Sequence, residues 1–477
     1  MKNSKPIKVY NTLSGKKDLF VPLKGKKVNL FVCGPTVYDF SHIGHARTYV
    51  VFDSFAKYLK SQGFNVFYLQ NITDIDDKII QRAREKGVDA KELADAFLTD
   101  YLKDMKTLHI DSVKKYAKAA SYMKEIISQV ERLQEKGYAY TLDDGVYFDI
   151  SKFEQYGKLS HRTTLQAEDS VSRIDYSKNK KNRGDFALWK FAVDGEPSWP
   201  APFGAGRPGW HIEDTAITEA FFGPQYDIHG GGRDIMFPHH EAEITQMESI
   251  SGKKPLAKYW MHTGFLTLNG QKMSKSLNNG ITINEFLKRH PYRQLRFWIV
   301  KNLWHSPLDY SESVMIEVKM ALDKMEEFLR KLRGTTRKLT RKNAEASLRA
   351  QRGNLLKIAK DQFYTDLADD FNTPKAFATL FEFIKETNKL LDENLVGKKE
   401  AGEIFKFFQE INKIFDIIDF EKLKTSDVPK EVLELVKERE NYRKNQDWQK
   451  SDELRDEILK YGYSVDDTAD GSVIKKV

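Results

Sequence analysis

One cysteine, Cys33, stands in a chain of 477 residues. That excludes an internal disulfide, and a single thiol in so long a chain reads as the product of a reducing compartment. Long apolar runs are missing as well. No window approaches the roughly 18 residues of a membrane span, and the opening "MKNSKPIKVYNTL" has no apolar core of a secretory leader. The expectation is a cytoplasmic protein with no membrane partner. Neither sign of charge dominates, since 77 basic and 69 acidic residues leave a net +8. So mild an excess suits an ordinary solvated surface as well as a polyanionic partner, although "SKNKKNRGD" and "RKLRGTTRKLTRK" do cluster it. Internal repeats and long low-complexity tracts are absent too. What is present suffices for packed cores: 40% hydrophobic and 12% aromatic residues. The length suggests roughly three domains.

"KVNLFVCG" is a short apolar run that stops at Gly34-Pro35 and reads as a buried strand. Beyond Gly44, Val51, Phe55 and Tyr58/Leu59 fall at helical spacing, Gly63 breaks the pattern, and "NVFYLQN" reads as a second strand. Strand, helix and strand in this order form a βαβ unit and imply a parallel sheet. Ligands of such sheets bind beyond the carboxyl ends of the strands, where Cys33, His42, His45 and Thr73 fall. Two helical stretches follow, then an irregular section from about Asp144 to Gly209. The α/β pattern returns in "YDIHGGGRDIMFPHHEAEITQMES", where Pro238 suits the first turn of a helix. After Tyr310, Val314, Val318, Ala321/Leu322, Met325 and Phe328/Leu329 repeat at helical spacing and predict a helical bundle. A last charged helix leads to a hairpin around Asp470-Gly471.

Two short motifs carry chemistry. In His42-Ile43-Gly44-His45, a glycine at a helix start allows close approach of a ligand, and the helix N-terminus attracts anions. Two imidazoles there suit phosphate oxygens, but the tetrapeptide alone is equally a surface turn. In "KMSKS", Lys272 to Ser276, two lysines and two serines suit a polyphosphate; alone, such a loop reads as solvated surface. Together, in this order and at this separation, they resemble the nucleotide-binding signatures of class I aminoacyl-tRNA synthetases.

The blocks "CGPTVYDFSHIGHART", "NITDIDDKI", "DFALWK", "GRPGWHIE", "DIHGGGRDIMFPHHEAEI", "YWMHTGFLTLNGQKMSKSLNN" and "DDFNTPKA" resemble, in order, those of the cysteinyl-tRNA synthetase family, as does the closing "DWQKSDELRDEI". The resemblance implies a Zn2+ ion, one per chain, held by two cysteines, a histidine and a glutamate. The first cysteine falls on Cys33, the histidine on His239 and the glutamate on Glu243. His239 and Glu243 are four residues apart and share a helix face. The second cysteine is replaced by Asp214 in "WHIED". Asp214 ligates through oxygen, or leaves a three-ligand site, or marks a site without zinc. The first is the expectation, because zinc accepts a carboxylate oxygen at about 2.0–2.2 Å.

The same resemblance implies that Gly34, Thr73 and Trp210 line the cysteine pocket, with His211 and His229 as supporting imidazoles. ATP binding is implied for Gly44, Gly230, Gly232 and Asp234, with Asp234 near the ribose. His42, His45, Lys272 and Lys275 are implied as catalytic, Lys275 also touching ATP, and Mg2+ accompanies ATP. The implied activity is a cysteine–tRNA ligase: cysteine and ATP give cysteinyl-adenylate, and the acyl group passes to the 3′ end of tRNA(Cys). The expected fold class is α/β. A Rossmann-like parallel-sheet catalytic domain (1–310, inserted connective region about 115–205, KMSKS loop 272–276) precedes a helical-bundle region (311–425) and a small C-terminal α/β anticodon-binding unit (426–477). A monomer is expected. The alternatives are a cysteine-dependent ligase acting on a small amine, against which the full C-terminal end argues, and a catalytically silent RNA-binding paralogue, favoured by Asp214 alone.

Overall fold

The computed structural model describes residues 5–162, 179–272, 280–335, 352–423, 429–468 and 471–476. Two compact units divide the chain, Met1–Ile417 and Ile418–Val477.

The first unit opens with an antiparallel pair, β1 (Lys8–Asn11) and β2 (Lys16–Leu19). β3 (Lys27–Val32) buries Leu30, Phe31 and Val32 and ends at Cys33-Gly34, as its apolar run predicts. α1 (Ile43–Ser61) follows, with Val51, Phe55, Tyr58 and Leu59 buried, and the chain turns at Gly63 (φ +88) into β4 (Asn65–Ile72). α2 (Asp77–Lys86) and α3 (Ala90–Thr107) lead to β5 (Val113–Lys118) and α4 (Met123–Glu135).

Next comes a four-stranded antiparallel sheet of β6 (Ala139–Leu142), β7 (Gly145–Phe148), β8 (Phe186–Phe191) and β9 (Gly206–Pro208). The sequence reads here as irregular because strands of three to six residues are too short to show a period. Their pairing, not their pattern, makes them a sheet. α5 (Ile212–Phe222), β10 (Tyr226–Gly232), α6 (Glu241–Ser251) and β11 (Ala257–Thr263) then return to the first layer. Phe237 is extended (φ −128, ψ 132) and the backbone turns helical from Pro238, as expected.

The parallel sheet runs β11-β10-β3-β4-β5. Strand order reverses between β3 and β10, so the crevice for ligands opens at the carboxyl ends of these two strands. A smaller sheet follows, β12 (Leu266–Leu268), β13 (Gln271–Lys272) and, beyond α7 (Ile283–Arg289) and α8 (Tyr292–Val300), β14 (Leu308–Tyr310).

α9 (Glu312–Gly334), α10 (Arg352–Ala368), α11 (Thr373–Asp392) and α12 (Lys398–Phe415) form the expected helical region. Val318, Leu322, Met325, Phe328 and Leu329 are buried; Val314 is half-buried and its neighbour Met315 takes the core position. One buried cation stitches the unit together. Arg296 on α8 donates to Asp53 Oδ2 on α1 (2.8 Å), to the Phe415 carbonyl (2.7 Å) and to the Leu108 carbonyl (3.0 Å). Burial alone would raise the Asp53 carboxyl, but Arg296 and Lys57 outweigh it and hold it below its ordinary value.

In the second unit, α13 (Lys430–Lys444) and α14 (Trp448–Lys460) pack with the hairpin β15 (Tyr463–Thr468) and β16 (Gly471–Lys476). Its small core is Val432, Val436, Ile458, Tyr463 and Val465. Gly471 opens the second strand of the expected hairpin; Asp470 lies outside the described residues. No helix among the described residues is long and apolar enough to cross a membrane.

Candidate active site

Cys33 leaves β3 at the switch point, its N–H donating to the Gly230 carbonyl of β10 at 3.0 Å. Gly34 follows because nothing larger fits: a Cβ there would lie 1.8 Å from the Asn71 carbonyl oxygen at the end of β4. Thr73 lies beside this turn, its N–H bound to the Pro35 carbonyl (3.1 Å) and its hydroxyl donating to the buried carboxylate of Glu213.

Four side chains from three distant segments meet beneath the turn. Cys33 Sγ is 3.3 Å from Asp214 Oδ2 and 3.5 Å from His239 Nε2. His239 Nε2 is 3.1 Å from Asp214 Oδ2 and 3.3 Å from Glu243 Oε1. All four are buried. Donors at 2.0–2.3 Å from a tetrahedral zinc are about 3.3–3.8 Å apart, so this spacing suits one small cation. The satisfaction of the site points the same way. Asp214 Oδ1 and both oxygens of Glu243 have no hydrogen-bond partner among the described residues. The ion-pair contacts of Asp214 and Glu243 there are all with histidines. Buried carboxylates without a cation are costly. Burial first, then Asp214 and Glu213, push Glu243 well above the usual carboxylate range, and burial with Asp214 and Glu243 does the same to the Cys33 thiol. A divalent ion removes that conflict, and the thiolate, imidazole and two carboxylates are all zinc donors.

Trp210, half-buried, stacks on His239 with ring centres 4.3 Å apart. His211 Nδ1 lies 2.8 Å from His239 Nδ1 and so fixes that ring with Nε2 toward the cluster. His229 Nδ1 is 3.6 Å from Glu243 Oε2 and 2.7 Å from the Tyr226 hydroxyl. Sequence reasoning missed His240 and His262, whose Nδ1 and Nε2 are 2.8 Å apart under the same floor. The second histidine of "HHEAE" and the penultimate residue of β11 were the available signals. Burial first, then neighbouring imidazoles, hold His211, His229 and His240 well below the usual range; burial and Arg233 bring His262 down to about 3. The floor is thus a set of neutral rings. Sequence reasoning also missed Glu213, which adjoins Asp214 and grips Thr73.

His42 and His45 form the N-terminus of α1. Each backbone N–H donates to the Nδ1 of the other ring at 3.3 Å, and the rings stack at 3.8 Å. Because both Nδ1 atoms accept, the neutral rings carry their protons on Nε2. The turn therefore places two imidazole N–H groups at the positive end of a 19-residue helix, with Gly44 between them. It is laced to the segment after the KMSKS loop, Ile43 N–H to the Ile281 carbonyl (3.0 Å) and Ile283 N–H to the Ser41 carbonyl (2.9 Å).

Gly230 lies against Phe52 of α1, where a Cβ would come within 2.3 Å of the ring. Gly232 pairs with Thr263 of β11, and a Cβ on it would come within 2.4 Å of Asp234 Oδ1. Asp234 is exposed at this edge of the crevice. Lys272, the first residue of the loop and the last one described there, ends β13 and pairs with Thr267 of β12. Lys275, with the remainder of KMSKS, lies outside the described residues.

Residues 19–320 match the model of the class I (C) tRNA synthetase catalytic domain, residues 362–420 the DALR domain, and residues 425–472 the cysteinyl-tRNA ligase anticodon binding domain. The chain is 43% identical over 467 residues to a cysteine–tRNA ligase of Thermoplasma acidophilum, covering 98% of this chain and 100% of that one. It is 42% identical over 480 residues to one of Thermococcus gammatolerans, covering 99% of each. Among solved structures it is similar in fold to a methionyl-tRNA synthetase of Mycobacterium tuberculosis in complex with methionyl-adenylate (TM-score 0.61, 14% identity, 82% of this chain and 92% of that one). A LeuRS of Agrobacterium radiobacter K84 in a ternary complex with tRNA gives a TM-score of 0.62 at 10% identity, over 83% and 85% of the two chains.

Proposed function

The chain belongs to the cysteine–tRNA ligase family of class I aminoacyl-tRNA synthetases, and on that premise we propose how its residues divide the work. The reaction joins cysteine to tRNA at the expense of ATP, and the acceptor is tRNA(Cys). The cysteine carboxylate attacks the α-phosphorus of ATP, pyrophosphate leaves, and the acyl group of the adenylate passes to the 2′-hydroxyl of the terminal adenosine. Positioning and charge stabilisation carry such phosphoryl chemistry, and no nucleophilic side chain is needed.

Cys33, Asp214, His239 and Glu243 hold zinc, with Asp214 supplying an oxygen donor where relatives of the family carry a second cysteine. When bound, zinc supplies a Lewis-acidic partner that favours a thiol over a hydroxyl at neutral pH. Gly34, Thr73 and Trp210 line the cysteine pocket, and Glu213 orients the Thr73 hydroxyl. The Nε2–H groups of His42 and His45 donate to phosphate oxygens as charge builds there. Gly44, Gly230 and Gly232 let the nucleotide lie against backbone, and Asp234 meets the ribose. Lys272 and Lys275 draw off the pyrophosphate charge, with Mg2+ entering on ATP. Residues 1–310 catalyse, 311–425 bind the tRNA body and 426–477 reach the anticodon. The protein works in the cytoplasm as a monomer.

The observation that carries this reading is the cluster of Cys33, Asp214, His239 and Glu243, in which His239 Nε2 lies 3.1–3.5 Å from a donor atom of each of the other three and Cys33 Sγ lies 3.3 Å from Asp214 Oδ2. Its test is ATP–pyrophosphate exchange with cysteine and with serine, alongside metal quantitation. Cysteine-dependent exchange with one zinc per chain is expected. Full activity without zinc would overturn the metal assignment, and no exchange with any amino acid would overturn the activity.

A further inference from the structure

Arg47 lies in α1, two residues beyond His45, and is 2% exposed. Its guanidinium makes no ion pair with a carboxylate among the described residues. Instead it donates to three backbone carbonyls: Nη1 to Phe265 at 2.6 Å, and Nη2 to Trp304 at 3.3 Å and to Ser306. Burial lowers the group only to about 10, so it stays charged at neutral pH. A buried cation answered by carbonyls alone is an expensive arrangement for simple cohesion. Its geometry shows what it holds, since a planar fork suits several acceptors at once.

The three carbonyls belong to two chain segments that enter one small sheet. Phe265 immediately precedes β12, and its carbonyl also accepts from the Leu308 N–H of β14 (2.9 Å). Trp304 and Ser306 lead into β14, which pairs with β12 through Leu266↔Leu308. β12 in turn pairs with β13 through Thr267↔Lys272. Arg47 thus grips the root of the sheet from both of its parallel strands, and the outer strand ends at Lys272. The neighbouring Thr48 hydroxyl is 2.8 Å from that of Thr263, at the end of β11 just before this root. Close packing reinforces the grip: a Cβ on Gly264 would lie 2.2 Å from the Ser306 carbonyl oxygen and 2.8 Å from that of His305.

We propose that Arg47 is a positioning residue for adenylate formation, fixing the sheet that carries Lys272 to the helix whose N-terminus carries His42 and His45. The proposal deepens the synthetase reading and rests on it for the roles of those side chains. Phosphate donors and the lysine must meet one triphosphate, and both are referred to the same turns of α1. A displacement of about 1 Å in such a pair costs on the order of 10²-fold in rate.

Two variants test it, Arg47→Lys and Gly264→Ala. Lysine keeps the charge but cannot span carbonyls on two segments as a fork does. Alanine leaves Arg47 intact and displaces the Ser306 carbonyl that it holds. In both, kcat for cysteine-dependent ATP–pyrophosphate exchange is expected to fall on the order of 10²-fold. KM for cysteine and zinc content should not change. Amide hydrogen exchange of Leu266–Leu268 should quicken roughly tenfold or more, while that of Lys27–Val32 stays as in the wild type. Wild-type kcat in Arg47→Lys overturns the proposal. So does unchanged amide exchange at Leu266–Leu268, or a loss shared equally by kcat, cysteine KM and melting temperature. A wild-type chain without exchange activity would defeat the synthetase reading, and the amide measurement would still decide the tether. Should Arg47→Lys fail to fold, Gly264→Ala carries both readouts.

Discussion

Asp214→Asn should destabilise the zinc-loaded protein while leaving the metal-free protein at least as stable as the wild type. Asp214 is fully buried, with Oδ2 against His239 and Cys33 and Oδ1 unpartnered among the described residues. The amide keeps the shape and removes one of three crowded carboxylates. Asp214 is a leading cause, after burial, of the upward displacement of both Glu243 and Glu213. Without metal, relief of that repulsion should leave the melting temperature equal or higher. With zinc, the loss of an anionic donor weakens binding. A weakening of about 10²–10³-fold removes about 2.7–4.1 kcal/mol of linked stabilisation at saturating metal. Spread over the unit Met1–Ile417 at about 2.1 cal/mol/K per residue, that lowers the zinc-loaded melting temperature by about 3–5 °C. Thermal melts with zinc and with chelator, beside metal quantitation by mass spectrometry, read both effects. An unchanged zinc content with an unchanged zinc-linked shift would show that Asp214 is not a ligand. Equal losses in both states would show that it serves only as a hydrogen-bonding group.

His42→Asn keeps a good N-cap, so the melting temperature should hold within about 1 °C while kcat for pyrophosphate exchange falls on the order of 10²-fold or more; an active variant would remove His42 from the chemistry. Gly34→Ala drives a Cβ into the Asn71 carbonyl and should abolish cysteine-dependent exchange; unchanged exchange kinetics would refute the pocket assignment. Arg296→Met leaves Asp53 buried with Lys57 as its remaining cation (2.9 Å) and should cost about 3–5 kcal/mol in denaturant unfolding, partly recovered by adding Asp53→Asn. Because the Asp53 carboxyl is held below its ordinary value, its contribution is full above about pH 4 and is lost as pH falls further; Asp53→Asn should flatten that part of the stability curve.

Much of the site was legible in the residues themselves. A short apolar run ended by Gly34-Pro35, a helical repeat ended by Gly63 and a second apolar run define the βαβ unit, because local burial and turn chemistry write themselves into the order of residues. They place Cys33, His42, His45 and Thr73 at strand ends. Spacing alone puts His239 and Glu243 on one helix face, and the structure keeps them 3.3 Å apart. The family motifs pointed to Cys33 and Asp214 as the remaining proposed ligands. Other features depend on partners that are remote in sequence. The four short strands between β5 and β10 look irregular because each is stabilised by its neighbour rather than by its own period. That Asp214 lies 3.3 Å from Cys33, or that Arg47 faces three carbonyls far along the chain, follows from the order in which strands pair. Periodicity reports which face of an element is buried. Which element covers that face is settled only when the whole chain closes, since the packing energy belongs to pairs of surfaces and not to either one.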